Sequence, residues 1–342
     1  MAKILGDDKT GSHTVYFAGC LQTIIDYLNS KENPRGTEYF SVRGNPFSLY
    51  EFLKHHNLSD DKLDMIFVEQ SMFYFDKGSE DKLMGWKGER IETPVVYYHR
   101  DLWNECFMRE PDLLLYRFHN QQTSLKYIDR QIWWATKYKM AFRNAVDPKL
   151  FKHDQEKEFK GLNFIGTQRP LEQYLKDDYV QHEYYIDTFN VVEYAKEHEL
   201  IAVHDYYKMK FNEYRSILER CESILFIPGK RAYHSRRLYE AAATKSMIVM
   251  YVPNDQARKI YNQMGLIHGN NCVMFSDLAK LKNIYILYKN KRKKIVQRAY
   301  EWVHNAHTYE VRATQLEKVL VQFLKNWERD HEIIDEIEVT VK

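Results

Sequence analysis

Short apolar runs alternate with amphipathic stretches along most of the chain. In the first half, HTVYFAG (13–19), LDMIFVEQ (63–70) and TPVVYYHRDLW (93–103) carry the β-branched and aromatic residues that favour strands, and LQTIIDYLNSK after the first of them has helical spacing. The second half repeats the theme with GLNFIG (161–166), a helical stretch at VVEYAKEHE (191–199), SILFIP (223–228), a helix over 233–243 and SMIVMYVP (246–253). Such alternation predicts two α/β units, each a parallel sheet covered by helices. Between them RNAVDPKLFKHDQEKEFK (143–160) joins an Asp-Pro turn to a charged run and reads as a linker. Beyond residue 290 the apolar residues fall at helical spacing as far as LKNW, and the acidic DHEIIDEIEVTVK that follows reads as a tail.

A chain of 342 residues is long for one core and suits two domains of about 150 residues each. With 44% hydrophobic residues a sizeable core can form. The 50 Lys and Arg nearly balance the 48 Asp and Glu, so net charge demands no polyanionic partner. The cluster Lys289, Lys291, Arg292, Lys293 and Lys294 reads as a solvated helix face that could also meet a phosphate backbone. The aromatic run Tyr127, Trp133, Trp134, Tyr138 and Phe142 reads as core packing. Cys20, Cys106, Cys221 and Cys272 are scattered without metal-ligand spacing, as reduced thiols of a cytosolic protein would be. No apolar run of about 18 residues is present, and no charged-then-apolar segment opens the sequence. The expectation is a cytoplasmic protein with no membrane span; the sequence leaves its oligomeric state open.

Candidate chemistry gathers in SRRLYEAAATKSMIVMY (235–251). Ligands of open α/β sheets bind beyond the carboxyl ends of the strands. The helix after SILFIP would offer free N–H groups and a positive dipole end to a phosphate there, beside Ser235. Arg236 and Arg237 would add charge-assisted bonds to the phosphate oxygens. Glu240, an acceptor only, suits the hydroxyls of a ribose. The plainer alternative is an exposed ion pair between Arg237 and Glu240, three positions apart. On the ribose reading, Glu240→Ala weakens nucleotide binding and leaves the fold intact.

The pattern Arg237-Leu238-Tyr239-Glu240 followed by alanines resembles the donor site of GT-B glycosyltransferases. Four further stretches extend the likeness. Phe164 to Arg169, with Gly166 in the turn, resembles the start of that family's second domain, where an arginine meets the diphosphate. Residues 144–151, NAVDPKLF, resemble its interdomain segment. Residues 304–312, HNAHTYEVR, resemble the end of the subgroup that includes spore-coat glycosyltransferases. Tyr97 to Asp101 is similar to the strand end that carries the aspartate base in T-even phage DNA β-glucosyltransferases. The sequence departs from the family at Ala232, where retaining members often have a second glutamate, at Lys245, where a small residue is usual, and in its first loop, where only Gly11 and Gly19 remain.

The resemblance implies two Rossmann-like domains with parallel sheets facing across a cleft: an acceptor domain over 1–150, a donor domain over 151–308, a returning helix over 309–330 and a tail over 331–342. It implies transfer of a sugar from a nucleotide diphosphate sugar, with a UDP-sugar leading, to an acceptor hydroxyl. Asp101 is the candidate base and His99 the runner-up, although Asp101 could equally cap the helix that follows. Gly166, Arg169, Ser235, Arg236, Arg237 and Glu240 would hold the donor. With arginines on the diphosphate, a divalent cation is allowed but not required, and no metal ligands are assigned. The leading acceptor is a hydroxymethylated base in double-stranded DNA, which would have to be flipped from the duplex. A cell-envelope saccharide, a small molecule, or epimerisation of the sugar nucleotide itself are the alternatives.

Overall fold

The protein is described from a computed structural model, covering residues 3–7, 38–42, 65–69, 95–99, 113–116, 138–142, 144–166, 182–205, 209–228 and 235–328. The expected strand at 13–19, Arg169, Asp101, Ala232, Trp133, Trp134 and the acidic tail lie outside these residues. The chain divides into two compact units. One comprises Met1–Arg143 with Tyr309–Lys342, the other Asn144–Thr308.

Among the described residues of the first unit six strands form an all-parallel sheet: β1 (Lys3–Asp7), β2 (Glu38–Val42), β3 (Met65–Glu69), β4 (Val95–His99), β5 (Leu113–Tyr116) and β6 (Tyr138–Ala141). Their order is β2-β1-β3-β4-β5-β6. On its last strands Val96, Leu113, Leu115, Tyr138, Met140 and Phe142 are buried, alternate residues pointing to one face as the strand period requires. A helix at Tyr309–Glu328 covers them with Ala313, Leu316, Val319, Leu320 and Phe323, spaced three and four apart. Phe323 meets Tyr138 edge-on at 5.4 Å. Both Tyr138 and Phe142 are thus core residues.

Among the described residues the second unit has five parallel strands: β7 (Phe159–Gly166), β8 (Ile201–Asp205), β9 (Cys221–Phe226), β10 (Met247–Tyr251) and β11 (Val273–Phe275). Their order is β11-β10-β9-β7-β8. Its helices among the described residues are α1 (His182–Glu197), α2 (Phe211–Arg220), α3 (Arg236–Ala243), α4 (Asp255–Gln263), α5 (Leu281–Lys289) and α6 (Arg292–Ala306), and the helix at Tyr309–Glu328 is α7. From β7 the chain runs to β8 on one side and then to β9 on the other. The topological switch point therefore lies between the carboxyl ends of β7 and β9, where ligands of such sheets bind.

The opposite, amino end of this sheet is locked by polar groups. A bulge interrupts the β7–β9 register between Phe159 and Leu162, where Gly161 takes a φ of 80° that other residues avoid. The Gly161 N–H donates to buried Glu222 at 2.9 Å, and Arg292 pairs with the same carboxylate. Fully buried Asn163 donates from its amide to the carbonyls of Phe159, Gly161 and Ser223, and its Oδ1 faces His204 Nε2 at 3.0 Å. Burial, and then the charge of Arg220, hold the His204 pKa below its ordinary value.

The segment expected to be a linker is stitched into this unit. Its Asp-Pro turn forms, with the Asp147 carboxylate accepting from the Lys149 N–H at 2.8 Å. Beyond the turn, Lys157 is drawn inward, and its ammonium donates at 2.7 Å to the carbonyls of Glu219 and Thr244. Those carbonyls end α2 and α3, the negative poles where a cation is favoured. Burial pushes the Lys157 pKa down to about 8, so it stays charged at neutral pH. Cys221 and Cys272 are buried free thiols, with pKa values raised by burial, Cys221 to about 12. Among the described residues no helix is long and apolar enough to cross a membrane.

Candidate functional site

The helix α3 begins with Ser235 in extended conformation, and its hydroxyl accepts from the Arg237 N–H at 3.3 Å. This is the capping role that makes serine favourable at a helix start. The Leu238 N–H donates in turn to the Ser235 carbonyl at 3.1 Å, so serine closes the start of the helix with both its hydroxyl and its backbone. Arg237 extends toward β7 and donates from Nη1 to the Ile165 carbonyl at 2.5 Å. The start of the helix that follows β9 is thereby tied to the carboxyl end of β7, across the switch point.

Gly166 closes β7 because nothing larger fits. A Cβ placed on it would come within 2.4 and 2.6 Å of the Phe164 ring carbons, and that ring is itself buried. The glycine leaves room for that ring beside the carbonyl that receives Arg237. Arg236 is 6% exposed and Glu240 2%, so neither belongs to a solvated surface pair. The Tyr214 hydroxyl of α2 donates a short hydrogen bond to Glu240 Oε2. This corrects the expectation that Glu240→Ala would spare the fold, because the carboxylate is also the partner of a buried tyrosine.

Two of the sequence motifs meet behind this helix. Val146 and Thr308 form a parallel β-bridge, and the Val146 N–H donates to the His307 carbonyl at 3.0 Å. The buried His307 ring packs 5.0 Å from Tyr239 and 4.5 Å from Trp302, while Trp302 stacks on Tyr239 at 5.5 Å. Tyr239 lies on α3 beside Glu240, so these stretches brace the helix that carries the candidate site. His307 is a packed core histidine.

At its other end α3 closes on a Schellman pattern. The Ser246 N–H reaches the Ala241 carbonyl at 2.9 Å and the Lys245 N–H the Ala242 carbonyl at 3.1 Å. Lys245 is left at φ 54°, which explains why a small residue suits this position, and its ammonium lies over the Tyr300 ring at 4.5 Å.

The second unit therefore brings together Gly166, Ser235, Arg236, Arg237 and Glu240, while Arg169 lies outside the described residues. In the first unit His99 is the last residue of β4, at the carboxyl edge of its sheet, and Asp101 lies outside the described residues. Among the described residues no group of three or more His, Cys, Asp or Glu side chains could hold a metal. Sequence reasoning missed Tyr214, which no motif marks. A tyrosine amid apolar spacing in a helix just before a strand is the only signal it leaves.

Residues 171–318 match the family model described as glycosyl transferase-like, a stretch that includes Ser235 to Glu240 and His307. No curated protein is significantly similar to the chain in sequence. Among solved structures, Anabaena HepE in complex with UDP and glucose aligns with a TM-score of 0.52 at 13% identity, over 94% of this chain and 100% of that one. A glycosyltransferase from Rickettsia africae aligns with a TM-score of 0.52 at 12% identity, over 95% and 99%. The N-terminal domain of Candida albicans trehalose-6-phosphate phosphatase aligns with a TM-score of 0.53 at 9% identity, over 94% and 97%. At these identities the likeness establishes an α/β fold held in common. A fold of this kind hosts more than one chemistry, so function rests on the site.

Proposed function

We propose that the chain is a glycosyltransferase that takes a nucleotide diphosphate sugar, with a UDP-sugar leading, and moves the sugar to an acceptor hydroxyl. The observation that carries this reading is the start of α3 at the switch point, with Arg237 anchored on the end of β7 and Glu240 one turn further along. The glycosyl transferase-like match over 171–318 and the UDP bound to Anabaena HepE support it.

The chemistry needs each of these groups. As the bond from the anomeric carbon to the diphosphate breaks, charge builds on the leaving phosphate, and guanidinium groups and N–H dipoles stabilise it. Arg236, Arg237 and the helix start are proposed for that task, with Arg169 from the sequence. Glu240 is proposed to accept hydrogen bonds from the ribose, its orientation held by Tyr214. A general base must take the acceptor proton, and Asp101 and then His99 are the candidates. The DNA acceptor rests on the likeness at 97–101 and on the basic and aromatic residues from Arg117 to Arg143, and none of the three structures compared is named for DNA. The acceptor is therefore proposed only as a hydroxyl.

Incubating the protein with a panel of nucleotide sugars, with and without hydroxymethylated DNA, and weighing the products by mass spectrometry tests the proposal. Release of the nucleoside diphosphate with loss of the sugar supports it. An altered sugar nucleotide formed without acceptor would replace transfer by epimerisation, and neither binding nor turnover of any donor would refute the reading.

A further inference from the structure

Positive charge is concentrated in one stretch of this chain. Between Asp277 and Glu301 stand six lysines, two arginines and no acidic residue, in a chain whose net charge is only +2. The stretch forms α5 and most of α6. Four of its cations are engaged locally: Arg292 pairs with Glu222, Lys280 with Asp277, Arg298 donates to Asn270, and Lys291 lies over the Tyr288 ring. Lys282, Lys289, Lys293 and Lys294 are exposed.

The same surface carries apolar residues that the core does not use. The inner side of α5 is held by Leu281 and Tyr285, with Ile284 and Tyr288 packed against the same cluster. Its outer side presents Ile286 at 55% and Leu287 at 58% exposure. Lys282, Ile286 and Lys289 follow the i, i+4, i+7 spacing of one helix face, so Ile286 lies between lysines one turn to either side, and Leu287 has Lys291 four positions on. The adjoining loop adds Ile267, half exposed, and is tied to these helices where the Tyr288 hydroxyl meets His268 and where Arg298 donates to Asn270.

We infer that the outer face of α5, with the start of α6, docks on an anionic phospholipid bilayer. Lysine stems lie along the acyl boundary while their ammonium heads remain among the phosphates, and aliphatic side chains between them enter the headgroup layer. Charge alone would suit a nucleic acid equally well. The aliphatic pair decides between them, because a phosphate backbone would take the lysines and leave Ile286 and Leu287 in water. The inference is independent of the proposed sugar transfer.

Co-sedimentation of the full chain with vesicles tests it, using phosphatidylcholine alone and an equimolar mixture with phosphatidylglycerol. Binding to the mixed vesicles and not to phosphatidylcholine is expected. Lys282→Gln with Lys289→Gln should lower partitioning about 25-fold, each lysine near an anionic surface contributing about fivefold. Ile286→Ser with Leu287→Ser should lower it about tenfold or more. All four side chains are solvent-facing, so circular dichroism should show both variants folded. Absence of binding to mixed vesicles overturns the inference. So does binding that the lysine variant loses and the serine variant keeps, or tight binding to duplex DNA with none to vesicles.

Discussion

Glu240 is where the functional reading meets the fold most directly, and Glu240→Gln separates the two. In the folded protein the carboxylate is 2% exposed and Oε2 accepts from the Tyr214 hydroxyl. Glutamine has nearly the same volume, and its carbonyl oxygen can keep the bond from Tyr214. The cost to stability is then the difference between a charge-assisted and a neutral hydrogen bond, about 1 kcal/mol. A ribose held by two hydrogen bonds to a carboxylate would lose its charged acceptor and gain a mismatched amide, a penalty of about 2 kcal/mol or a 30-fold weaker Kd. Alanine is the less informative change. It leaves the Tyr214 hydroxyl buried without this partner and opens a cavity, adding about 2–4 kcal/mol of destabilisation. Titration calorimetry with UDP, alongside thermal unfolding, reads both quantities. Combining Glu240→Gln with Tyr214→Phe in a double-mutant cycle should show coupling in affinity as well as stability, because one group orients the other. An unchanged Kd for UDP with a lowered Tm would make Glu240 a core partner of Tyr214 and remove it from the site.

Four other outcomes follow from the same structure. Gly166→Ala forces a methyl against the buried Phe164 ring and should destabilise by about 1–3 kcal/mol in urea titration, with nucleotide affinity falling too; an unchanged midpoint would refute the packing argument. Asn163→Leu removes the amide that serves three carbonyls and faces His204, and should cost about 3 kcal/mol by the same measurement, a near-neutral result being the refutation. The pKa values of His204 and His268 are lowered chiefly by burial, and His268 Nδ1 accepts from the Met274 N–H. The unfolded chain therefore takes up protons near pH 6.5 that the folded one resists, and stability should drop as pH falls from about 7.5 to about 5.5; equal or greater stability at the lower pH would show the sign to be wrong. Glu199, two residues past α1, takes a φ of 54° in a position where glycine is at ease, so Glu199→Gly should stabilise by about 0.5–1 kcal/mol in thermal unfolding, and destabilisation would count against it.

The elements legible in the sequence are those with dense apolar runs. SILFIP and SMIVMYVP are β9 and β10, LDMIFVEQ contains β3, TPVVYYHRDLW contains β4, and the helical spacing beyond residue 290 is α6 and α7. The strands β5, β6, β8 and β11, of three to five residues each, are too short for periodicity to show, and β8 ends in His204 and Asp205. Within the candidate site, the spacing of Arg237 and Glu240 could be read because it is local to one helix. Their partners could not: Ile165 is 72 positions from Arg237, and Tyr214 is 26 from Glu240. Lys157 is the clearest misreading. A lysine within a charged run suggests solvent, yet its acceptors are carbonyls 62 and 87 positions away, and helix ends supply such groups without any sequence signature.

These long-range partners show how the second unit divides its work between the two ends of one sheet. At the amino end Asn163, Glu222, Arg292 and the bulge at Gly161 fix β7, β8 and β9 in register with buried polar bonds that have no reach toward a ligand. At the carboxyl end the same strands leave Gly166, a helix start and two arginines. The motifs at 144–151 and 304–312 belong to neither group of contacts. They join through Val146 and His307 and bear on Tyr239, the neighbour of Glu240 on α3. A change at His307 would then act on the site only by shifting α3, moving stability and nucleotide affinity together, whereas a change at Arg237 can move affinity alone. The likeness at 304–312 is thus a likeness of support, and the residues proposed to meet the nucleotide are held in place by others that never touch it.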